Sequence, residues 1–270
     1  MLLRHTPSLP LQPFVDCIWF SERGPLPHTR ERSLPTGCAD IVIPLLQDAV
    51  LRYDRLEEAT ARRLRGAVIQ GPQDRFTLRG TEGPSRVVGV HFRPGGAAAL
   101  LGPAVGELVN RTELLEDLWG AAARELRERL QACGSPAEAL AIVEAQLLQR
   151  LRGARPLDAM VIFALRQFRR DPSACTVEPV QRASGCSPQQ FIRRFHGEVG
   201  LTPKRYGRVL RFNAVIEGLA AGGERDWAQV ALAGGFYDQA HLVHEFREMA
   251  GLTPGAYRPV SAQMPTHVAL

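Results

Sequence analysis

The stretch Ser187-Pro-Gln-Gln-Phe-Ile-Arg-Arg-Phe195, followed by Gly200-Leu-Thr-Pro-Lys-Arg-Tyr206, returns downstream as Asp238-Gln-Ala-His-Leu-Val-His-Glu-Phe246, followed by Gly251-Leu-Thr-Pro-Gly-Ala-Tyr257. Phe195 and Phe246, the two Gly-Leu-Thr-Pro runs, and Tyr206 and Tyr257 match at an offset of 51 residues. Val180 and Gly185 match Val230 and Gly235 at an offset of 50, which places one extra residue in the second copy's turn. A repeat at fixed period is one supersecondary unit built twice. Each copy reads as helix, glycine turn, helix. In the second, Asp226 caps a short helix through Ala233, Gly234-Gly235 turns the chain, and Asp238 caps a helix through Met249 that Gly251 ends. In the first, Ser187 and Gln190 form a capping box around Pro188 at the first helical position. Apolar residues four apart (Phe191 and Phe195; Leu242 and Phe246) share a helix face and anchor each second helix. A short helix, a tight turn and a striped second helix make a helix-turn-helix, whose second helix enters the major groove of DNA.

A third helix joins the copies. Thr202-Pro203 opens it, and its apolar positions run from Tyr206 through Val209, Leu210, Phe212, Val215, Ile216 and Leu219 to an end at Ala221. From Pro203 to Ala221 the rod is roughly 28 Å long at ~1.5 Å per residue. Successive major-groove faces lie about 34 Å apart, so a rod of this length suits two recognition helices in adjacent groove segments. Charge is unevenly shared between the copies. From Arg182 to Arg211 seven basic residues face the single acid Glu198, a net of +6, whereas Glu224 to Glu248 carries a net of −3. Coincidence of the basic run with a recognition helix points to phosphate contact by Arg194, Lys204, Arg205 and Arg208 rather than to a merely solvated face. The second copy is expected to bind more weakly, or to read bases through neutral groups.

The first 110 or so residues are of another kind. Short β-rich runs (Val15–Ser21, Asp40–Leu46, Gly66–Gln70, Asp74–Leu78, Arg86–Phe92) are broken by Gly-Pro pairs, which predicts a compact sheet or barrel. A single amphipathic helix is expected over Leu114–Leu130, and another from Pro136, capped by Ser135 and Glu138, to Leu151. Arg152 to Pro156 reads as the linker. The fold class is therefore α+β: an N-terminal β-sheet or barrel domain with two helices over 1–152, an all-α double helix-turn-helix domain over 156–258, and a tail over 259–270.

Composition excludes several classes. Of 270 residues 45% are hydrophobic and 23% charged, which rules out a disordered or fibrous chain. The net charge of +5, with Lys204 the one lysine among 33 basic residues, is a weak hint of a polyanionic partner. No apolar run reaches the ~18 residues of a membrane span, and the first residues lack a secretory pattern, so a cytoplasmic protein with no membrane partner is expected. Cys17, Cys38, Cys133, Cys175 and Cys186 show no Cys-x-x-Cys spacing, and neither a disulfide framework nor a zinc site is expected.

Ala233-Gly-Gly-Phe-Tyr-Asp-Gln-Ala-His-Leu-Val-His-Glu-Phe246, Gly251-Leu-Thr-Pro254 and Tyr257-Arg258 resemble the AraC/XylS family of bacterial transcriptional regulators, across roughly residues 157–258. Leu34-Pro-Thr-Gly-Cys-Ala-Asp-Ile41 and Gly89-Val-His-Phe-Arg-Pro-Gly-Gly96 resemble a regulatory domain paired with that DNA-binding domain in some relatives. The resemblance implies a sequence-specific regulator that binds double-stranded DNA, takes a small-molecule effector in its N-terminal domain, forms a homodimer and works with RNA polymerase. Base-facing positions carried over by motif are Gln189, Ile192 and Arg193 in the first copy, and Ala240, His241, Val243 and His244 in the second. Arg193 suits guanine and Gln189 adenine, by bidentate hydrogen bonds. The family favours a small residue where the first copy has Gln181, with Pro179 just before it, so a short or distorted first helix is expected there.

Effector contacts are assigned to Trp19, Asp40, His91 and Arg93. Strand alternation places His91 and Arg93 opposite Phe92, and a polar rim on a half-buried sheet is the plainer reading of that pair. No cofactor is expected. His241 and His244 lie three apart with no third ligand nearby, so no metal site is assigned. The alternatives are thiol-based alkyl-acceptor chemistry at Cys38 beside Asp40, a dimerising regulator without ligand, and a protein-binding module without DNA contact. The first lacks an activating base in the sequence, and the chain is not expected to be an enzyme.

Overall fold

The computed structural model describes residues 1–174, 176–220 and 226–270, so Cys175, Ala221, Glu224 and Arg225 lie outside the described residues. The chain begins with nine strands: β1 (Leu2–His5), β2 (Val15–Arg23), β3 (Arg30–Ser33), β4 (Asp40–Pro44), β5 (Ala49–Tyr53), β6 (Arg62–Arg65), β7 (Val68–Gln70), β8 (Thr77–Gly80) and β9 (Ser85–Phe92). There follow α1 (Gly96–Leu101), a 3-10 turn (Pro103–Leu108), β10 (Thr112–Leu114), α2 (Glu116–Trp119), α3 (Ala121–Ala132) and α4 (Pro136–Leu151). The helical part is α5 (Ala159–Arg170), α6 (Val177–Ala183), α7 (Pro188–Val199), α8 (Pro203–Ala220), α9 (Trp227–Ala233) and α10 (Gln239–Ala250), and the chain closes with β11 (Pro259–Ser261) and β12 (Met264–Ala269).

A β-rich N-terminal domain precedes a helical C-terminal one, the expected fold class. Among the described residues the strands form two antiparallel sheets of six, ordered β1-β2-β9-β4-β7-β10 and β11-β12-β3-β8-β5-β6. The first sheet buries an apolar face (Ile18, Phe20, Ile41, Ile43, Ile69, Val88, Val90) under Leu126 and Leu130 of α3 and Leu140, Val143 and Leu147 of α4. Its other face looks toward the second sheet. The single helix expected over Leu114–Leu130 is divided: Leu114 ends β10, and Gly120, at φ +59°, separates α2 from α3. A left-handed residue cannot continue a right-handed helix, and glycine adopts it without cost. The strand expected over Asp74–Leu78 begins only at Thr77, because Asp74 is drawn aside by Asn110.

Residues 259–270, which the sequence assigns to neither domain, form a hairpin that completes the second sheet. β12 pairs with β3 (His267 with Ser33, Val268 with Arg32, Ala269 with Glu31). Leu34 N donates to Thr266 O at 2.7 Å and Leu270 N to Arg30 O at 3.0 Å. Val268 and Leu34 both join the core of the helical domain. A second bridge is the loop from Pro72 to Phe76. Phe76 N donates to Met249 O at 2.6 Å, and Arg205 pairs with Asp74 at 3.3 Å. A Cβ on Gly200 would lie 2.9 Å from Pro72, and one on Gly251 would lie 2.5 Å from the Phe76 ring. The ends of α7 and α10 thus rest on the same loop of the N-terminal domain.

Burial, with Arg79 close by, lowers the His267 pKa to about 3. A histidine held neutral in the fold contributes stability that is present above its ordinary 6.5 and lost as pH falls toward the folded value. We therefore expect acidification from pH 7 to pH 5 to destabilise the wild type by up to about 1.4 kcal/mol per pH unit below 6.5 more than His267→Leu. Urea unfolding at the two pH values measures it, and equal losses in both proteins would contradict the assignment.

Candidate nucleic-acid interface

Both copies of the repeat fold alike. α6 and α9 are seven residues each, and α7 and α10 are twelve. Gly185 and Gly235 turn the chain at φ +69° and +72°, and Gly200 and Gly251 end the second helices at +82° and +67°, conformations in which a Cβ would be strained. Side-chain caps fall where the sequence puts them: Ser187 Oγ accepts from Gln190 N at 3.4 Å, Asp226 Oδ1 from Ala228 N at 2.9 Å, and Asp238 Oδ1 from His241 N at 2.7 Å. α6 is as long as α9, so Pro179 and Gln181 do not shorten it. Their effect is on packing. Ala231 is fully buried in the second copy, whereas Gln181 is half-buried and its amide donates to Cys186 O in the turn.

The second helices bury one face and expose the other. α7 buries Phe191, Phe195, Glu198 and Val199, and leaves Gln189, Arg193 and Arg194 in solvent with Ile192 46% exposed. α10 buries Leu242, Glu245, Phe246 and Met249, while Ala240 and His244 are exposed and His241 and Val243 half-exposed. His241 is the most constrained of these. Its ring meets Phe236 edge-on at 5.5 Å, and its Nδ1 accepts from Tyr237 N at 3.2 Å.

Ion pairs divide the basic residues. Arg194 donates twice to Asp158, both at 2.6 Å, and Asp158 also caps α5. Arg205 reaches Asp74, and Arg182 reaches Glu178 within α6. Arg208 on α8 donates to both oxygens of the buried Glu245 at 2.7 and 2.9 Å and also bonds Glu248. Hydrogen bonding to Glu245 raises the Arg208 pKa. Two acids behind the second copy's negative balance are therefore spent on α8, and Asp226 and Asp238 on caps. Among the described residues Arg193 and Lys204 are in none of the ion pairs. Tyr237, just before the Asp238 cap, stands 91% exposed.

Of the residues assigned to an effector, His91 and Asp40 meet at 2.7 Å, and the carboxylate holds the imidazole pKa well above its ordinary value. Cys38 is buried and lines the same crevice as His91, whose imidazole is already engaged by Asp40. Arg93 lies beyond the end of β9, where its Nε donates to Gln12 O at 2.8 Å and its Nη2 pairs with Asp16 at 3.2 Å. His91, Arg93 and Cys38 line a crevice of about 390 Å³ whose far wall is Asn213 and Glu217 of α8 and Thr266 of the tail. Trp19 lies elsewhere, across Gly89, where a Cβ would come within 2.1 Å of its ring. Among the described residues no three His, Cys, Asp or Glu side chains are grouped to hold a metal, and no helix is long and apolar enough to cross a membrane.

A helix-turn-helix domain matches residues 180–259, the span of both copies and the helix between them. The chain carries an AraC-type helix-turn-helix domain. It is joined to a domain of unknown function, DUF6597, matched at residues 3–113. AraC-type domains belong to DNA-binding transcription regulators, a typically non-enzymatic class. No curated protein matches the chain. Similar solved structures include ToxT from Vibrio cholerae at 1.65 Å resolution, 12% identical with a TM-score of 0.47 over 88% of this chain and 97% of that one. Another is wild-type ToxT from Vibrio cholerae strain SCE256 bound to an unsaturated fatty acid, 10% identical with a TM-score of 0.47 over 89% of this chain and 94% of that one.

Within the AraC-type domain, Arg208 is a polar link between α8 and α10. Removing one partner of a buried ion pair leaves the other uncompensated. Discounting for the partial exposure of Arg208, Arg208→Ala is expected to cost roughly 2–3 kcal/mol of unfolding free energy, much of it recovered in the Arg208→Ala, Glu245→Gln double variant. Urea denaturation tests this, and additive losses would contradict it.

Proposed function

We propose that the chain regulates transcription by laying α7 and α10 in adjacent major-groove segments, under control of a small molecule bound by its N-terminal domain. The observation that carries this reading is the pair of structurally equivalent recognition helices, each anchored by its apolar stripe to the rod α8. Gln189, Ile192 and Arg193 read bases from α7, with Ala240, His241, Val243 and His244 reading from α10. Among the described residues no carboxylate pairs with Arg193, which leaves its guanidinium for the two acceptors of guanine. Arg194, Lys204 and Arg205 contact phosphates. Lys204 needs no rearrangement for this, while Arg194 and Arg205 exchange a carboxylate for a phosphate; Arg208, expected from the sequence to do the same, is instead engaged with Glu245 and Glu248. The complex acts from the promoter on RNA polymerase, as a homodimer where two such sites adjoin.

Selection of binding sites from random duplexes supplies the operator. On it, Arg193→Ala is expected to cost ~1–3 kcal/mol and to relax the preference at one base pair, whereas Lys204→Ala lowers affinity on all sequences and reduces the salt slope by about one. Fluorescence anisotropy at several salt concentrations separates the two. An Arg193→Ala variant that changed only the salt slope would refute the base-reading role.

A further inference from the structure

The turns of the two copies differ by one residue, and nothing in the account so far uses the difference. Gly185 and the Ser187 cap are separated by Cys186 alone, whereas Gly235 and the Asp238 cap are separated by Phe236 and Tyr237. Both of these residues act on His241, the third residue of α10. The Phe236 ring is buried and meets the imidazole edge-on, with 5.5 Å between centroids and 80° between planes. Tyr237 N donates to His241 Nδ1 at 3.2 Å, and His241 N donates to the Asp238 cap at 2.7 Å. An apolar wall, a backbone donor and a capped backbone therefore hold the ring together. In the first copy the position 51 residues earlier is Gln190, whose side-chain amide is held by no hydrogen bond among the described residues.

The contact from Tyr237 decides where the imidazole carries its proton. A backbone N–H can only donate, so Nδ1 keeps its lone pair, and the proton of the neutral ring sits on Nε2. Glu245 Oε1, one turn on, lies 3.9 Å from Nε2, beyond hydrogen-bond distance. Both Glu245 oxygens are taken by Arg208, at 2.7 and 2.9 Å. The His241 side chain is 40% exposed, and Ala240 and His244 beside it on α10 are exposed as well. α10 thus presents one N–H donor in a set orientation, in the first half of the helix, where a recognition helix meets base edges.

We propose that His241 selects guanine through Nε2–H, shared by guanine N7 and O6, and that the extra turn residue exists to set this donor: Tyr237 N fixes its tautomer and Phe236 its orientation. This rests on the reading of α10 as a major-groove helix and names the base that it selects. Guanine presents two adjacent acceptors to a single donor in the major groove. Adenine sets its N6 donor beside N7, thymine its methyl group beside O4, and cytosine offers only a donor. Phe236 and Tyr237 are positioning residues. The second copy gains in this way a base contact that needs no cation, which suits its net charge of −3 from Glu224 to Glu248.

Selection from random duplexes with the full wild-type chain and with His241→Ala identifies the base pair at which the variant loses preference. Guanine is expected there in the wild type, with an unchanged preference at the base pair read by Arg193. His241→Ala is expected to bind the selected operator roughly threefold to tenfold more weakly, the range of one hydrogen bond. Replacing that guanine by 7-deazaguanine, which lacks N7, is expected to weaken the wild type by a similar factor and to leave His241→Ala unaffected. Nitrogen-15 NMR of histidine-labelled protein, with the His241 signals assigned by their absence from His241→Ala, is expected to show Nε2 protonated and Nδ1 bare. A proton on Nδ1, a base other than guanine at the lost position, tolerance of 7-deazaguanine by the wild type, or wild-type preferences in His241→Ala would overturn the assignment and leave the DNA-binding reading standing. A wild type that selects no operator would refute that reading and the proposal with it.

Discussion

Two aromatic contacts on α8 decide where the outward surfaces of the helical domain point. Tyr206, one turn into the rod, meets Phe195 of α7 at 5.6 Å and Phe168 of α5 at 6.2 Å. Phe212, six residues further along, meets Phe246 of α10 at 5.1 Å, and Phe246 meets Tyr257 at 5.9 Å. Phe195 and Tyr206 in one copy correspond to Phe246 and Tyr257 in the other, so the repeat is a repeat of this contact. Aromatic pairs of such size dominate the energetics of a small core, and all six rings are buried. With both recognition helices pinned to one rod, their separation is a property of the domain itself. Arg208 adds a polar lock at the second helix, and Glu198 at the first, where it accepts from Asp158 N at 2.9 Å.

The N-terminal domain is not merely tethered to this frame. It supplies the loop on which α7 and α10 both end, and the close approach of Gly37 to Tyr206 and Val209 brings it against the middle of α8. In return the helical domain sends β12 back to complete the second sheet. Contacts thus run in both directions between the sheets and the ends of α7 and α10.

Much of the helical domain was legible because its signals are local. Asp226, Ser187 and Asp238 act as caps within three residues of their partners, and the glycines at 185, 200, 235 and 251 sit where the chain must turn left-handed. The offsets of 50 and 51 give the structural alignment of α6 with α9 and of α7 with α10 without adjustment. The N-terminal domain was less legible. Strands β3, β5 and β6 carry Arg30, Arg32, Arg52, Arg62, Arg63 and Arg65, and runs so rich in arginine do not read as sheet interior. Their burial depends on partners distant in the chain, such as Gln70 and Thr112 for Arg52. The closing hairpin was missed for the same reason, because Val268 finds its core only through β3. Cys38 and His91 are 53 positions apart, and only the pairing of β4 with β9 brings them together.

We propose that α8 sets two readers about one helical turn of DNA apart. Hydroxyl-radical footprinting of a single chain on its selected operator tests this most directly. Two protected patches are expected on one face of the duplex, their centres ~10 base pairs apart. One patch alone, or two on opposite faces, would contradict it.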